Sequence, residues 1–523
     1  MNMIDIKSSG SVLHHFWSKC VGAGRANEGL RAAWQKQLAR AVKDCGFEYI
    51  RFHGLFHDDM CVYRMIDGEE VFNFQYIDDL FDALLEIGIR PFVELSFMPS
   101  DMADGDRTLF WWKANVNPPR EWEKWETLVK KTVAHFIDRY GINEVLKWYF
   151  EVWNEPNLHN AFWTGGKAKY LEMYKRTATV IKAIDSRLKV GGPATSNYVP
   201  DDRFAGDIDD TAKHMTHKLE NLDDAEWKPV WMKEFFAFCE KEKLPVDFIS
   251  VHPYPTDFAL DGHGETTGRS RSVNSTREDL ALIRNIVDNS RYKDAEILLT
   301  EWSSSPSPRD NSHDYCPAAA FIVKANVEST GFADALSYWT FTDVFEEGGA
   351  GNRAFHGGFG MINYQGIVKP SYHAYRFLNA IGDIEVARGN NYIVTKRAED
   401  GKCSVLAYNY KSEAIHTAVP MTNSFLEAEK VAAQGKADRL QLCITGLTAG
   451  AKFSVEKVNE NSGCAMKLYK DMGYPSSPSQ KETVLLKSAA QHLITEVISA
   501  DESGNLAIEW EMAPWEIVLI QEL

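Results

Sequence analysis

At 523 residues the chain has room for one barrel-sized domain and a smaller companion. Its hydrophobic fraction of 44% and charged fraction of 25% are those of an ordinary globular protein and set aside fibrous and disordered classes. The formal charge of −17 argues against nucleic acid and anionic membrane as partners, since both reward clustered Lys and Arg, so a neutral substrate is expected.

The first ten residues lack the apolar core of a secretory signal, and no later run is long enough to span a bilayer. The expected compartment is the cytoplasm. Eight cysteines are scattered without a CxxC pair, which favours reduced thiols over a disulfide framework or a zinc site.

From the start to about residue 380, short apolar runs alternate with segments of helical period. The runs at 19–22, 49–53, 90–97, 147–153, 188–192, 247–252, 297–302 and 335–341 read as strands. Eight strands is the number of a (β/α)8 barrel. Ile77, Leu80, Phe81, Leu84 and Leu85 share one helix face that stops at Gly88, and Trp125, Leu128, Val129, Thr132 and Phe136 share another before Gly141. Ser275 with Glu278 reads as a capping box. Regular strand–helix alternation implies parallel strands joined by right-handed crossovers.

The connection at 201–228 is longer and more polar than such folds need; it is either a solvated surface segment or a wall of the substrate pocket. Beyond residue 381 the texture changes to period-two alternation at 391–396, 404–409, 440–444, 506–510 and 515–520. The expected architecture is therefore an α/β TIM barrel over 15–385 and a β-sandwich over 386–523, with 1–14 adding an edge strand to the sandwich.

Two of the barrel runs end in acids. Trp148-Tyr-Phe-Glu-Val-Trp-Asn-Glu-Pro156 is a β-prone run closed by Asn154, Glu155 and a proline that cannot donate to a ladder. Ile297-Leu-Leu-Thr-Glu301 ends in the same way. Strand direction places both acids on the carboxyl face, where barrel active sites are built. Two facing carboxylates are what glycoside hydrolysis requires. Glu151, on the same strand face as Glu155 but deeper, reads as a buried structural acid.

Trp153-Asn-Glu-Pro-Asn157 resembles the acid/base motif of clan A retaining glycosidases. The wider chain resembles glycoside hydrolase family 39, which includes β-xylosidases and α-L-iduronidases. The supporting segments are Arg51-Phe-His-Gly54 with Asp58-Asp59, Val190-Gly-Gly-Pro-Ala194, His252-Pro-Tyr254, Thr300-Glu-Trp302, Ser337-Tyr-Trp-Thr340 and His356-Gly-Gly-Phe-Gly360. The resemblance implies that Glu155 is the general acid/base and Glu301 the nucleophile of a retaining enzyme, their carboxyls roughly 5 to 5.5 Å apart. Glu155 must then begin neutral, with its pKa raised by the charge of Glu301 and by aromatic surroundings.

The same resemblance implies that Asn154 bonds the sugar 2-hydroxyl, that Arg51 pairs with Glu301, and that His53 lies nearby. His252 and Tyr254 are expected to flank the nucleophile, and Trp339 to stack on the sugar with a cis peptide to Thr340. One of Glu346 and Glu347, in a loop with Gly348, Gly349 and Gly351, is expected to bind sugar hydroxyls. Trp111, Trp112 and Trp163 read as pocket walls or as ordinary packing. His53, His57, Asp58 and Asp59 could suggest a metal, but glycoside chemistry needs none, so no metal and no cofactor are expected. Ser303-Ser-Ser-Pro306 departs from the xylosidase-like pattern, which has an aromatic at position 306, and this bears on the shape of the sugar pocket.

The leading expectation is an exo-acting β-1,4-xylosidase working on xylo-oligosaccharides. Another glycoside by the same mechanism, a transglycosylase, and a non-catalytic carbohydrate-binding barrel remain alternatives at this level.

Overall fold

The computed structural model describes residues 2–260 and 266–523. Eight parallel strands close into a barrel: β1 Cys20–Arg25, β2 Tyr49–His53, β3 Arg90–Leu95, β4 Tyr149–Val152, β5 Lys189–Ser196, β6 Phe248–His252, β7 Glu296–Trp302 and β8 Ala335–Tyr338. Each is followed by a helix: α1 Ala32–Cys45, α2 Gln75–Ile87, α3 Trp122–Tyr140, α4 Gly166–Ile184, α5 Met232–Glu242, α6 Ser275–Asp288, α7 Cys316–Glu328 and α8 Pro370–Ala380. All eight expected strands are present, and the (β/α)8 TIM barrel is the fold.

The helices form where the apolar spacing placed them. α2 buries Ile77, Leu80, Phe81 and Leu84, and it ends at Gly88, whose φ of 93° is the left-handed cap that glycine adopts at least cost. The capping box expected at Ser275 is not what starts α6. Asn274 occupies the cap without a side-chain bond, its own N–H donating to Ser272 Oγ, and Ser275 is already a buried helical residue.

Two further sheets follow the barrel. One has seven strands in the order Ser11–Val12, Ile384–Arg388, Tyr392–Lys396, Cys403–Tyr408, Ile517–Glu522, Lys452–Val458 and Ile494–Ser499. The other has three, in the order Asn2–Asp5, Asp438–Thr445 and Leu506–Met512. Alternate residues such as Leu440, Leu442 and Ile444 pack against Val405, Val455 and Ile520 in a second apolar core. The N-terminal residues thus join both sheets, through Asn2–Asp5 beside Leu442–Thr445 and through Val12 beside Ile384. The strand expected at 515–520 begins at Ile517, because Trp515 has a φ of 57°. Three helices in this region, Phe425–Ala432, Met466–Asp471 and Gln480–Gln491, break the all-β expectation.

Candidate active site

The site begins with a distortion at the end of β4. Trp153 and Glu155 both hold positive φ, 69° and 43°, a conformation that costs an ordinary residue on the order of 1 kcal/mol or more and persists only where the surroundings impose it. The surroundings here are β5: the Glu155 N–H donates to Ala194 O at 2.9 Å, and Asn157 bonds Ser196 twice, Nδ2 to the carbonyl and Oδ1 from the N–H, each at 2.9 Å. The Asn-Glu-Pro-Asn segment is therefore fastened to its neighbour before its side chains do anything. Glu155 points into the barrel mouth and is buried.

Glu301 arrives from β7, and its two oxygens are separately held. Arg51 Nη1 donates to Oε1 at 2.5 Å and Tyr254 Oη to Oε2 at 3.0 Å. Oxygen atoms of Glu155 and Glu301 and a ring nitrogen of His252 lie within 4.8 Å of one another. Such a group could in principle grip a cation. Both His252 nitrogens already face partners, however, Nδ1 at 2.9 Å from Glu155 Oε1 and Nε2 at 2.8 Å from Thr300 Oγ1, so a metal would have to displace one of these contacts.

Arg51 is the hub of the floor. Fully buried, it donates to Glu151 Oε2 (2.8 Å), Glu301 Oε1 (2.5 Å) and Asn154 Oδ1 (2.7 Å), and it lies 2.7 Å from Glu94 Oε2. Burial alone would lower its pKa, but the charges of Glu151, Glu94 and Glu301 push it up, so the guanidinium stays charged. Burial works against the Glu94 carboxylate, and the charges of Arg51 and His53 reverse this and hold its pKa below the usual value. Glu94 had no part in the sequence reading, because an acid in the middle of the run Arg90-Pro-Phe-Val-Glu-Leu95 carries no signal of what it faces across the barrel. Glu151 is the buried structural acid expected, also accepting from Thr300 Oγ1 at 2.7 Å.

Above this floor lies a cavity of about 370 Å³ lined by His53, Glu155, Tyr254, Glu301, Trp339 and Glu347 among others. The insertion at 201–228 contributes Phe204, Asp209, Thr211 and His214 to its wall, and Arg203 ties this segment down through Asp201 at 2.6 Å and Asp257 at 3.0 Å. Trp339 packs over Gly22 of β1, where an added Cβ would meet its Cε3 at 2.5 Å. Its peptide bond to Thr340 is cis, as is that between Ser96 and Phe97. Pro306 also lines the cavity, in the place where an aromatic was expected. A larger cavity, about 650 Å³, lies where the start of α7 meets the C-terminal region near Trp515, but it holds neither strand-end acid.

Burial governs the titration of several groups around the cavity. Glu155 is pushed up to about 7, above all by burial, with Glu94 adding to it and a hydrogen bond from Ser196 and the charges of His53 and Arg51 opposing it. Of the two causes expected, the apolar surroundings lead through desolvation, and the charge of Glu301 is not among the main ones. Burial also takes His252 down to about 4, so the ring is neutral. Glu347 is raised well above the usual carboxyl range by burial and by Glu301 and Glu155.

Several expected residues fall elsewhere. Glu346 turns away from the cavity, its carboxylate held by Arg25 at 2.8 Å and Arg31 at 2.7 Å, so of the two lid acids only Glu347 faces the site. His252 contacts Glu155 and stays 3.9 Å from Glu301, so it attends Glu155 rather than Glu301. Asn154 and Arg51 lie beneath the cavity rather than on its surface. Trp163 is core, packed on Trp153 with its Nε1 donating to Gly166 O; Trp112 is buried among His57, Phe97, Phe110 and Arg25, and Trp111 is exposed beside Gly349. None of the three lines the cavity. Asp59 pairs with Arg25 and His57.

A TIM barrel that gathers two strand-end carboxylates in one cavity defines a glycoside hydrolase. Comparison with known proteins agrees: the model for "Glycosyl hydrolases family 39" matches residues 2–507. The chain is 35% identical over 500 residues to a β-xylosidase of Caldicellulosiruptor saccharolyticus, covering 95% of this chain and 91% of that one. It is 34% identical over 529 residues to a β-xylosidase of Geobacillus stearothermophilus, covering 100% and 95%. The crystal structure of a monomeric β-xylosidase from Caulobacter crescentus CB15 superimposes with a TM-score of 0.84 at 32% identity, covering 99% of this chain and 98% of that one. The protein belongs to glycosyl hydrolase family 39. Among the described residues, no helix is long and apolar enough to cross a membrane.

Proposed function

We propose that the protein is a retaining, exo-acting β-glycosidase that releases xylose from xylo-oligosaccharides by double displacement. The observation that carries this reading is the meeting of Glu155 and Glu301 in one cavity, an oxygen of each within 4.8 Å of the other, which suits the roughly 5 to 5.5 Å carboxyl spacing of retaining enzymes better than the 6.5 Å or more that inversion needs to fit a water.

In the first step the Glu301 carboxylate attacks the anomeric carbon while Glu155 gives its proton to the glycosidic oxygen, and the aglycone leaves as an alcohol. A covalent glycosyl ester remains. In the second step Glu155, now a carboxylate, takes a proton from water as the water oxygen attacks the same carbon. Glu301 departs, and the sugar leaves with its original configuration.

Arg51 and Tyr254 hold the two Glu301 oxygens in place for attack. Asn154 lies just beneath the cavity with its Oδ1 held by Arg51 and its Nδ2 without a hydrogen-bond partner among the described residues, so its amide is the floor donor that meets the sugar 2-hydroxyl as the sugar settles. His53 and Glu347 bind ring hydroxyls, and Trp339 stacks on the sugar face. A cavity of about 370 Å³ lies near the lower end of the range for small-molecule pockets, which suits release of one terminal sugar.

Pro306 in the wall favours a second reading of the sugar, in which the same machinery serves a β-galactoside, β-glucoside or α-L-arabinoside. A panel of nitrophenyl glycosides decides between them. Fast turnover of the β-xyloside with β-xylose as the first product supports the proposal. Negligible xyloside turnover beside a fast competitor overturns the sugar assignment, and α-xylose as the first product overturns the mechanism.

A further inference from the structure

We propose that Thr300 is a positioning residue that fixes which nitrogen of His252 carries hydrogen and so keeps the proton of the resting enzyme on Glu155. The inference rests on the reading of Glu155 as acid/base. It follows from counting hydrogens along one buried chain: Glu151, Thr300, His252, Glu155, each no more than 5% exposed.

The chain starts at Glu151. Its Oε2 accepts from the Arg51 guanidinium at 2.8 Å, and its Oε1 lies 2.7 Å from Thr300 Oγ1. A carboxylate paired with a guanidinium can only accept, so the single hydroxyl hydrogen of Thr300 goes to Glu151. Thr300 Oγ1 is left as an acceptor, and the atom facing it at 2.8 Å is His252 Nε2. That nitrogen must therefore carry hydrogen.

A neutral imidazole has one N–H only, and burial keeps this ring neutral. Its Nδ1 is then a bare lone pair, 2.9 Å from Glu155 Oε1. Two lone pairs at that distance repel, and the contact becomes a hydrogen bond when Glu155 supplies the hydrogen. Ionised Glu155 requires the opposite arrangement, with hydrogen on Nδ1, a bare Nε2, the Thr300 hydroxyl turned toward it and Glu151 Oε1 stripped of its donor. The relay therefore favours a protonated acid before the first step and, once that proton has gone to the leaving group, favours taking one back from water.

Other groups that face His252 and Glu155 are Arg51 and His53 from β2, Glu94 from β3, Glu301 from β7, Tyr254 after β6 and Glu347 in the lid. Replacing the Thr300 hydroxyl by a methyl leaves all of them in place, so Thr300→Val isolates the relay.

The test is the pH dependence of kcat/KM for wild type, Thr300→Val and Thr300→Ser on the glycoside that the panel identifies, together with ¹⁵N chemical shifts of His252. In Thr300→Val the alkaline limb should move about one pH unit lower, a tenfold change in the ionisation constant, while Thr300→Ser follows wild type. Wild-type His252 should show hydrogen on Nε2, and Thr300→Val should gain the Nδ1–H form. An unmoved limb in a folded Thr300→Val protein, or wild-type hydrogen on Nδ1, overturns the proposal. If wild type hydrolyses no glycoside, the acid/base reading fails, and the wild-type tautomer still decides the role of Thr300 by itself.

Discussion

The two ends of the barrel are made by the same eight strands, yet they assemble opposite kinds of side chain. At the amino end Tyr49, Phe92, Tyr149 and Phe248 pack into an aromatic plug with Cys20, Leu298 and Ala335. The charges there, Lys19, Lys189 and Glu296, stay between 23% and 35% exposed and pair around the Tyr149 hydroxyl. At the carboxyl end Arg51, Glu94, Glu151, Glu155, Glu301 and His252 are buried, and each contacts another member of the group. Partly solvated charges can be lost one at a time at little cost. Buried charges depend on one another, and removing one strands its partner. One end of the barrel therefore serves stability and the other chemistry.

Four measurements would break or sharpen this contrast. The largest effect belongs to Glu301→Ala, which should lower kcat on the order of 10⁴-fold or more. Added azide should restore turnover by attacking the vacated face, giving a product of inverted configuration; a variant that keeps more than a tenth of wild-type activity would remove Glu301 as nucleophile. Next comes Glu155→Ala, with a loss of about 10²- to 10⁴-fold that is heavier for alkyl than for dinitrophenyl leaving groups, because only the former need a proton. An equal loss with both would deny it the role of acid.

Phe92→Ala, at the opposite end, should cost about 3 to 5 kcal/mol of folding stability, since its ring stacks on Tyr149 at 5.0 Å and meets Phe248 edge-on at 5.5 Å. Its kcat/KM at a temperature where the variant stays folded should match wild type. A large kinetic defect would erase the division between the two ends.

The smallest effect is a slope. Glu155 near 7 must be protonated to act as acid, so kcat/KM should fall about tenfold for each pH unit above that value. The same group disfavours the folded state as the pH rises from 4.5 to about 7, because the folded chain still holds a proton that the unfolded chain has released. Thermal melts across that window should decline if other titrations are matched by a Glu155→Gln control.

Much of this was legible in the sequence, for a specific reason. Strands and helices announce themselves by period, and an acid at the end of a parallel strand has its direction settled by the chain, so Glu155 and Glu301 could be named from one dimension. Which groups meet across the barrel could not. Glu94 sits mid-run in β3 and joins the site because Arg51 and His53 of β2 reach it. His252 was expected beside Glu301 and lies instead against Glu155, a difference of about 1 Å that residue order does not encode. Adjacent Glu346 and Glu347 look alike in the sequence, and Arg25 and Arg31 sort them by claiming the first. Trp163 stayed open between wall and packing because an aromatic after a strand reads the same whether it faces sugar or Trp153, and the structure places it in the core.

The strand Asn2–Asp5 lies parallel to Asp438–Thr445, which in turn pairs with Leu506–Met512. The backbone groups of Asn2–Asp5 therefore wait for partners at Leu442–Thr445, made 440 residues later (442 minus 2), a loop closure of the slowest topological kind. During synthesis that segment is an unpaired edge, and whatever shields it until Asp438–Thr445 has been made bears on how much protein a cell recovers intact.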